Sequence, residues 1–314
     1  MRKTFIQVLT DIAYDNDDIY IVAGDAGFGV FEDFCRLKPD RFINAGIAEA
    51  NMIGYGAGLC MAGFNVFVYN IIPFVLYRCY EQVRNDICYQ RLPVTLVGIG
   101  SGLTYAPGGM THYGVEDLSI CQSLPNLTVI SPIDPVETKA AIEYAAVADG
   151  PVYIRIAKAG EPTFRTDGCP NILTPALVRD GEGVAVLSYG SVFAEAVQAM
   201  NELAMSGIYP RLISVPTLQP FPEEELFCLL KDCHVAITLE EHYRSGGLFT
   251  RLADCLAKYD VRPKLVPLAL PDRFIHDINK QEEMRKEYDI NAAAVVKTVK
   301  TVLCKKSLGG KNVI

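Results

Sequence analysis

Short apolar runs alternate with longer amphipathic segments through the first half of the chain. The runs that predict strands are Ile19–Ala23, Val66–Tyr69, Val94–Ile99, Leu127–Ser131 and Val152–Ile156. The segments between them that predict helices are Ile47–Met61, Phe74–Tyr89 and Pro135–Ala148. Strands that alternate with helices are typical of parallel βαβ units. Residues 1–165 are therefore predicted to form one α/β domain.

The alternation resumes after a stretch rich in polar residues, Pro and Gly, in which we place a linker at residues 166–182. The strands predicted beyond it are Val184–Tyr189, Arg211–Val215, Val235–Leu239 and Lys264–Leu268. The helices predicted there are Val192–Ser206, Glu223–Lys231 and Leu248–Tyr259. Residues 183–306 then form a second domain, and the polar tail 307–314 is expected to fray. The predicted class is α/β, with two consecutive three-layer domains and mostly parallel sheets.

Composition narrows the classes of function. Of 314 residues, 50% are hydrophobic and 21% are charged, and no run of 18 apolar residues occurs, so disorder and a membrane span are not expected. The net charge of −8 and the lack of a Lys/Arg cluster argue against nucleic-acid binding. The start of the chain has no apolar signal core, and the ten cysteines form no CxxC pair, so we expect a cytoplasmic protein with reduced thiols. Cys228, Cys233 and His234 fit no common zinc spacing.

One segment rich in Gly and Ala carries a single charge. Glu49 is the only charged residue between Arg41 and Arg78, and it lies near the start of a predicted helix. Other backbone segments can approach such a helix closely, so we expect the carboxylate to be buried; burial disfavours its charge, whereas the helix N-terminus favours it. From the residues alone, Glu49 is either an acid with a chemical role or a cap of its own helix.

Two further segments carry candidate chemistry. Aromatic side chains are frequent in the predicted helix from Phe74; such residues are usually core, but they can also stack on a heteroaromatic ring. The loop from Ser101 to Gly114 follows a predicted strand, at the edge where open α/β sheets bind ligands. It carries His112, one of four histidines, which is either a solvated side chain or a site residue. No Gly-rich phosphate loop of known spacing occurs.

Taken in this order, the segments resemble the C-terminal half of the transketolase family. The matching segments are Gly46–Ala50 (the family's G-I-A-E), Arg78–Asn85 (its second helix), Gly109–His112 (its G-x-T-H loop), Leu127–Pro135, Thr238–His242 and Gly246-Gly247. The resemblance covers nearly the whole chain. It implies a thiamine diphosphate-binding fold of the pyrimidine type, followed by a transketolase C-terminal-like domain.

The resemblance also implies cofactor contacts. At the position of Glu49, the family has a Glu that hydrogen-bonds the aminopyrimidine ring of thiamine diphosphate and activates the cofactor, which makes Glu49 a catalytic residue. Phe74 lies where relatives stack an aromatic ring on the pyrimidine, and Tyr77 is the alternative. Arg78 belongs to the same cofactor-binding segment.

For the substrate, the resemblance implies that His112 is catalytic and contacts the hydroxyl or carbonyl oxygens of the reacting sugar. Arg155 lies where relatives bind substrate phosphate, with Lys158 assisting. The chain also departs from the family. Gly108 stands where relatives carry Asp, and Gly100 or Ser101 where they carry a phosphate-binding His or Arg, so Ser101 is a candidate for substrate binding. We therefore expect a substrate other than the usual ketose and aldose phosphates, and whether it is phosphorylated stays open.

The family's diphosphate and Mg²⁺ ligands, a Gly-Asp-Gly followed by an Asn, belong to an N-terminal domain. Neither Gly24-Asp25-Ala26 nor Asp180-Gly181-Glu182 supplies that motif. The resemblance thus implies a split enzyme, in which a separate N-terminal polypeptide binds the diphosphate and Mg²⁺ and this chain supplies the pyrimidine side. An α2β2 heterotetramer is the expected symmetric assembly.

The expected activity is the transfer of a two-carbon ketol unit between sugar-like substrates, in the presence of the partner only. Two alternatives stay open. One is an acyl-transferring decarboxylase that resembles deoxyxylulose-phosphate synthase or the beta subunit of a 2-oxo acid dehydrogenase. The other is a non-catalytic scaffold of the same fold.

Overall fold

The computed structural model describes residues 1–27, 29–158, 160–260 and 262–309. The strands within these ranges are β1 Ile19–Ala23, β2 Phe42–Asn44, β3 Asn65–Ile71, β4 Val94–Ile99, β5 Thr128–Ile130, β6 Val152–Ile156, β7 Ala176–Arg179, β8 Val184–Ser188, β9 Arg211–Ser214, β10 Thr217–Gln219, β11 Val235–Tyr243 and β12 Lys264–Leu270. The α-helices are α1 Arg2–Asp15, α2 Glu32–Leu37, α3 Glu49–Met61, α4 Tyr80–Gln82, α5 Asp117–Gln122, α6 Pro135–Ala145, α7 Phe193–Ala204, α8 Glu223–Leu230, α9 Leu248–Leu256, α10 Gln281–Glu287 and α11 Ala292–Gly309.

The strands form two mostly parallel sheets. The first sheet has the order β10-β5-β6-β4-β3-β1-β2, and every pair in it is parallel except β10 with β5. The second sheet has the order β12-β11-β8-β9-β7, and only β7 runs antiparallel to its neighbour β9. The predicted α/β class with two domains is confirmed.

Helices cover both faces of the first sheet. Its central strands β4 and β6 are buried at every residue, which explains their continuous apolar sequence, because a parallel sheet between two helical layers has no solvent face. Phe5 and Leu9 of α1 pack with Ile142 of α6 on one face. Ile53 of α3 packs with Val75 on the other. Loops and short helical turns follow the carboxyl ends of its strands.

Short and irregular elements escaped the sequence pattern. Strands β2, β7 and β10 were not predicted, since three or four residues, partly exposed in β2 and β7, give no clear apolar run. Strand β7 lies within the predicted linker. The single helix predicted over Phe74–Tyr89 is wrong, because π-helical turns at Pro73–Tyr77 and Val83–Cys88 flank the three-residue α4. Such turns widen the backbone spiral and are frequent at functional sites.

Three further features concern the C-terminal helix, the cysteines and the length of the helices. Helix α11 continues through Gly309, so residues 307–309 are helical, and the rest of the expected tail, 310–314, lies outside the described residues. The cysteines from Cys35 to Cys255 are free thiols. Within the described ranges, no helix combines the length and the apolar character needed to cross a bilayer.

Candidate active site

Glu49, Phe74 and Arg78 lie together at the carboxyl edge of the first sheet. Strand β3 ends at Ile71, and the chain turns directly into the π-helical turn that carries Phe74. Arg78 donates from Nη1 to Oε1 of Glu49 over 2.7 Å, and its guanidinium carbon lies 4.1 Å from the centre of the Phe74 ring. Three of the four residues proposed for cofactor binding therefore form one contact cluster.

The carboxylate of Glu49 is fixed at one oxygen, whereas its other oxygen has no hydrogen-bond partner among the described residues. It is the first residue of α3, where the N-terminal end of the helix dipole favours a negative charge. Its side chain is 11% exposed, and the hydrogen bond recorded for its carboxylate is the one from Arg78. Among the described residues, neither oxygen caps a backbone N–H of α3, and Oε2 accepts no hydrogen bond. This leaves one oxygen of a mostly buried carboxylate without a hydrogen-bond partner among these residues.

His112 continues the cluster from Phe74 toward Tyr105. Its ring centre lies 5.6 Å from that of Phe74 and 6.5 Å from that of Tyr105, edge to face in both cases. Thr111 Oγ1 lies 2.9 Å from Nδ1 of His112, which leaves Nε2 without a partner in the described part of the chain. The exposed Lys158 places Nζ 5.9 Å from the centre of the Tyr105 ring. A continuous line of contacts thus runs from Glu49 to Lys158.

Two glycines shape this part of the site. A Cβ on Gly108 would lie 2.9 Å from Cγ of His112, and one on Gly100 would overlap the ring of Tyr105. Gly100 also has a φ of +90°, which L side chains rarely adopt. The rings of Tyr105 and His112 therefore occupy the space that side chains at these two positions would need. Tyr105 was not among the residues predicted from the sequence. Its position between Gly100 and Gly108 could have indicated that a large side chain packs against these two glycines.

Tyr77 points away from the cluster. Its hydroxyl lies 3.3 Å from Oε2 of Glu116 and accepts from the Glu116 backbone N–H over the same distance. Burial raises the pKa of Tyr77 well above its ordinary value, and it also raises the pKa of Glu116. Of the two candidates for stacking, Phe74 is the one beside Glu49.

The structure does not bring Arg155 or Ser101 to this surface. Arg155 is 2% exposed; it donates from Nε to Asp117 over 2.7 Å and from Nη2 to the carbonyl oxygens of Gly114 and Glu241. A cation enclosed in this way has no face for a sugar phosphate. Ser101 is 1% exposed, and its carbonyl accepts from the Thr104 hydroxyl over 2.6 Å. Both residues support the loop instead.

A mostly buried carboxylate, an aromatic ring and an available imidazole, all on the carboxyl edge of a parallel sheet, define an α/β enzyme that works on a ligand held at this edge. Residues 1–160 match the family "Transketolase, pyrimidine binding domain", and residues 175–295 match "Transketolase, C-terminal domain". The chain belongs to the transketolase family and is a transketolase-like C-terminal subunit.

The chain is similar to subunits of split transketolases over nearly its full length. An apulose-4-phosphate transketolase subunit of Actinobacillus succinogenes is 32% identical over 286 residues, which are 89% of this chain and 90% of that protein. The 6-deoxy-6-sulfo-D-fructose transketolase subunit SqwH of a Clostridium species is 31% identical over 98% of this chain and 95% of that one. A solved split-gene transketolase, an inactive beta4 tetramer, superposes with a TM-score of 0.85 at 30% identity and covers 96% of this chain and 97% of its own.

Family membership implies thiamine diphosphate as the cofactor, and the residues present fit its aminopyrimidine. A ring nitrogen needs a carboxyl partner that is shielded from water, which the open Oε2 of Glu49 supplies. A flat heteroaromatic ring needs an aromatic neighbour, which Phe74 supplies. Arg78 is 50% exposed, so its guanidinium can move off the Phe74 ring at little cost.

Proposed function

We propose that this chain supplies the pyrimidine side of a thiamine diphosphate site that it shares with a separate N-terminal polypeptide. The complete enzyme transfers a two-carbon ketol unit between sugar-like substrates. The observation that carries this proposal is the contact cluster of Glu49, Arg78 and Phe74 at the carboxyl edge of the first sheet, with one carboxylate oxygen unoccupied.

Each residue of the cluster has a distinct task. Glu49 shares a proton with a ring nitrogen of the aminopyrimidine, and Phe74 stacks on the ring. Arg78 holds the carboxylate in place through its 2.7 Å hydrogen bond. Thiamine diphosphate, when bound, supplies the nucleophilic carbon that carries the transferred unit. The work of this chain is to orient the ring and to hold the proton at Glu49.

His112 and Lys158 form the substrate side in this proposal, together with Tyr105. Nε2 of His112 is available to hydrogen-bond a hydroxyl or carbonyl oxygen of the sugar. The ammonium of Lys158 suits an anionic group at the far end of the substrate. The names of the two relatives, which specify a sugar phosphate and a sulfosugar, support substrates of this kind. Arg155 and Ser101 are not part of the proposed site, because both side chains are buried.

The partner holds the diphosphate and Mg²⁺ in this proposal, and the assembly is an α2β2 heterotetramer. Mg²⁺ is placed on the partner because neither Gly24-Asp25-Ala26 nor Asp180-Gly181-Glu182 supplies the family's Gly-Asp-Gly motif. The split relatives support a separate N-terminal chain. The cytoplasmic location stays a prediction from the sequence.

An assay of the complex with its N-terminal partner separates the proposal from its rivals. A ketose donor and an aldehyde acceptor should give the transfer product, whereas pyruvate should release no carbon dioxide. Release of carbon dioxide from pyruvate would favour the decarboxylase chemistry of 1-deoxy-D-xylulose-5-phosphate synthase, of which one from Dictyoglomus turgidum is 32% identical over 86% of this chain and 44% of its own length. If the complex forms no transfer product and releases no carbon dioxide, the non-catalytic scaffold is favoured.

A further inference from the structure

The loop that carries Tyr105 and His112 is anchored in the second domain. Leu103, Ala106 and Tyr113 are fully buried, and they belong to the hydrophobic core built by β8, β11, α7 and α10 rather than to the core of the first sheet. Tyr113 also donates from its hydroxyl to the carbonyl oxygen of Asp277 over 2.7 Å. The geometry of the substrate side therefore depends on packing against the second domain.

Glu241 makes the polar contact between that domain and the start of the loop. It lies on β11, is 2% exposed, and accepts at Oε2 from the backbone N–H of Leu103 over 3.4 Å. Gln281 Nε2 donates to both of its oxygens, over 3.0 and 3.1 Å. Arg285 Nε donates to Oε1, so the buried carboxylate is paired with a buried cation.

Gly102 shows how closely the loop lies against this carboxylate. A Cβ on Gly102 would lie 2.5 Å from Cβ of Glu241, a distance that real Cβ contacts do not show. The backbone of Gly102 also has a φ of +61°, in the left-handed region. The loop backbone thus approaches Glu241 as near as a residue without a side chain allows.

The carboxylate is itself fixed from behind. Arg285 donates from Nη1 to Glu195 of α7 over 3.4 Å and from Nη2 to Ser191 Oγ over 3.1 Å. Arg285 and Gln281 lie on α10, so two helices of the second domain hold Glu241 in one orientation. Buried groups with several fixed partners have few alternative positions.

We propose that Glu241 is a positioning residue: from the second domain it holds the loop 102–114 so that His112 faces the substrate. The inference rests on the proposed function only for the identity of what His112 binds. Loss of the Glu241 contact releases the first turn of the loop, while the cluster of Glu49 and Phe74, which lies on other elements, stays in place. The expected defect is therefore confined to the substrate side.

Hydrogen exchange of the full chain tests the positioning without any catalysis. In Glu241→Gln, the amides of residues 102–114 should exchange about tenfold faster or more than in the unaltered chain. Glu240→Gln is the matched control, because Glu240 is the adjacent buried acid but accepts from Leu248, Phe249 and Tyr189 and does not touch the loop. Unchanged exchange of 102–114 in Glu241→Gln, or equal acceleration in Glu240→Gln, overturns the proposal.

Kinetics of the complex with its partner give the second readout. Glu241→Gln should raise KM for the sugar about tenfold or more and leave the affinity for thiamine diphosphate unchanged. If Glu241→Gln does not fold, Gly102→Ala displaces the same contact from the loop side and should give the same split. A variant that loses stability but keeps its KM contradicts positioning. Absence of activity in the unaltered complex contradicts the proposed function instead, and the exchange experiment still decides the role of Glu241.

Discussion

Arg78 Nη1 donates to Glu49 Oε1 over 2.7 Å, although the two residues are 29 positions apart in the sequence. One lies on the first turn of α3 and the other follows β3, so the contact joins two separate βα crossovers at the sheet edge. Because the same guanidinium also lies over Phe74, one side chain contacts both the carboxylate and the ring. The two groups proposed to meet the aminopyrimidine thus belong to one cluster.

Replacing Glu49 with Gln should nearly abolish turnover by the complex. The amide keeps the size of the side chain but cannot hold the proton, so kcat should fall by about a hundredfold or more. Glu81→Gln is the control, since Glu81 is a 65%-exposed acid on the neighbouring α4 and should have no effect. Steady-state kinetics measure both variants. An unaffected rate in Glu49→Gln would remove Glu49 from the mechanism.

Replacing Phe74 with Ala should weaken cofactor binding without unfolding the chain. Loss of one stacked ring, worth about 1 kcal/mol, corresponds to roughly a fivefold higher dissociation constant for thiamine diphosphate. Tyr77→Phe removes only the hydroxyl contacts with Glu116 and should leave that constant unchanged. Titration of the complex with the cofactor measures the two constants. The opposite ranking would make Tyr77 the stacking residue.

The candidates predicted from the sequence are residues that lie in local motifs or at positions shared with the transketolase family. Glu49, Phe74, Arg78 and His112 were all candidates, and the structure brings them together. Burial of Arg155 was not predictable, because its partners come from α5, from the end of the loop and from β11. A single sequence does not pair such distant groups. The same holds for Glu241, whose neighbours lie on α10 and in the first domain.

Arg155 should matter for stability rather than for substrate binding. Arg155→Ala leaves the buried carboxylate of Asp117 without its cation, a change that typically costs about 3–5 kcal/mol of the free energy of unfolding. Arg36→Ala breaks an exposed pair and should cost about 1 kcal/mol or less. Chemical denaturation measures both. A normal stability with a raised KM for phosphorylated sugars would instead return Arg155 to the substrate site.

The free energy of unfolding should depend on pH through two buried groups, Glu240 and His242, whose pKa values are shifted in opposite directions. Burial raises the pKa of Glu240 from 4.5 to about 7, so the stability it contributes is full below pH 4.5 and is lost as the pH rises through about 7. Burial lowers the pKa of His242 from 6.5 to about 4, so its contribution is present above pH 6.5 and is lost as the pH falls through about 4.

Because the two effects oppose each other between these values, the variants are compared with the unaltered chain at each pH. The free energy of unfolding of Glu240→Gln, relative to the unaltered chain, should increase as the pH rises from about 5 to about 8. For His242→Gln, the relative free energy should increase as the pH falls from about 7 to about 5. Differences that do not vary with pH would show that these groups keep ordinary proton affinities in the fold.

Calorimetric titration with thiamine diphosphate and Mg²⁺ is decisive for a site divided between two polypeptides. The chain alone should show no tight binding, the complex with the N-terminal polypeptide should bind tightly, and the complex that carries Glu49→Gln should bind more weakly. Tight binding by the isolated chain, or equal affinity with and without the Glu49 carboxylate, would contradict the division of the cofactor site proposed for this protein.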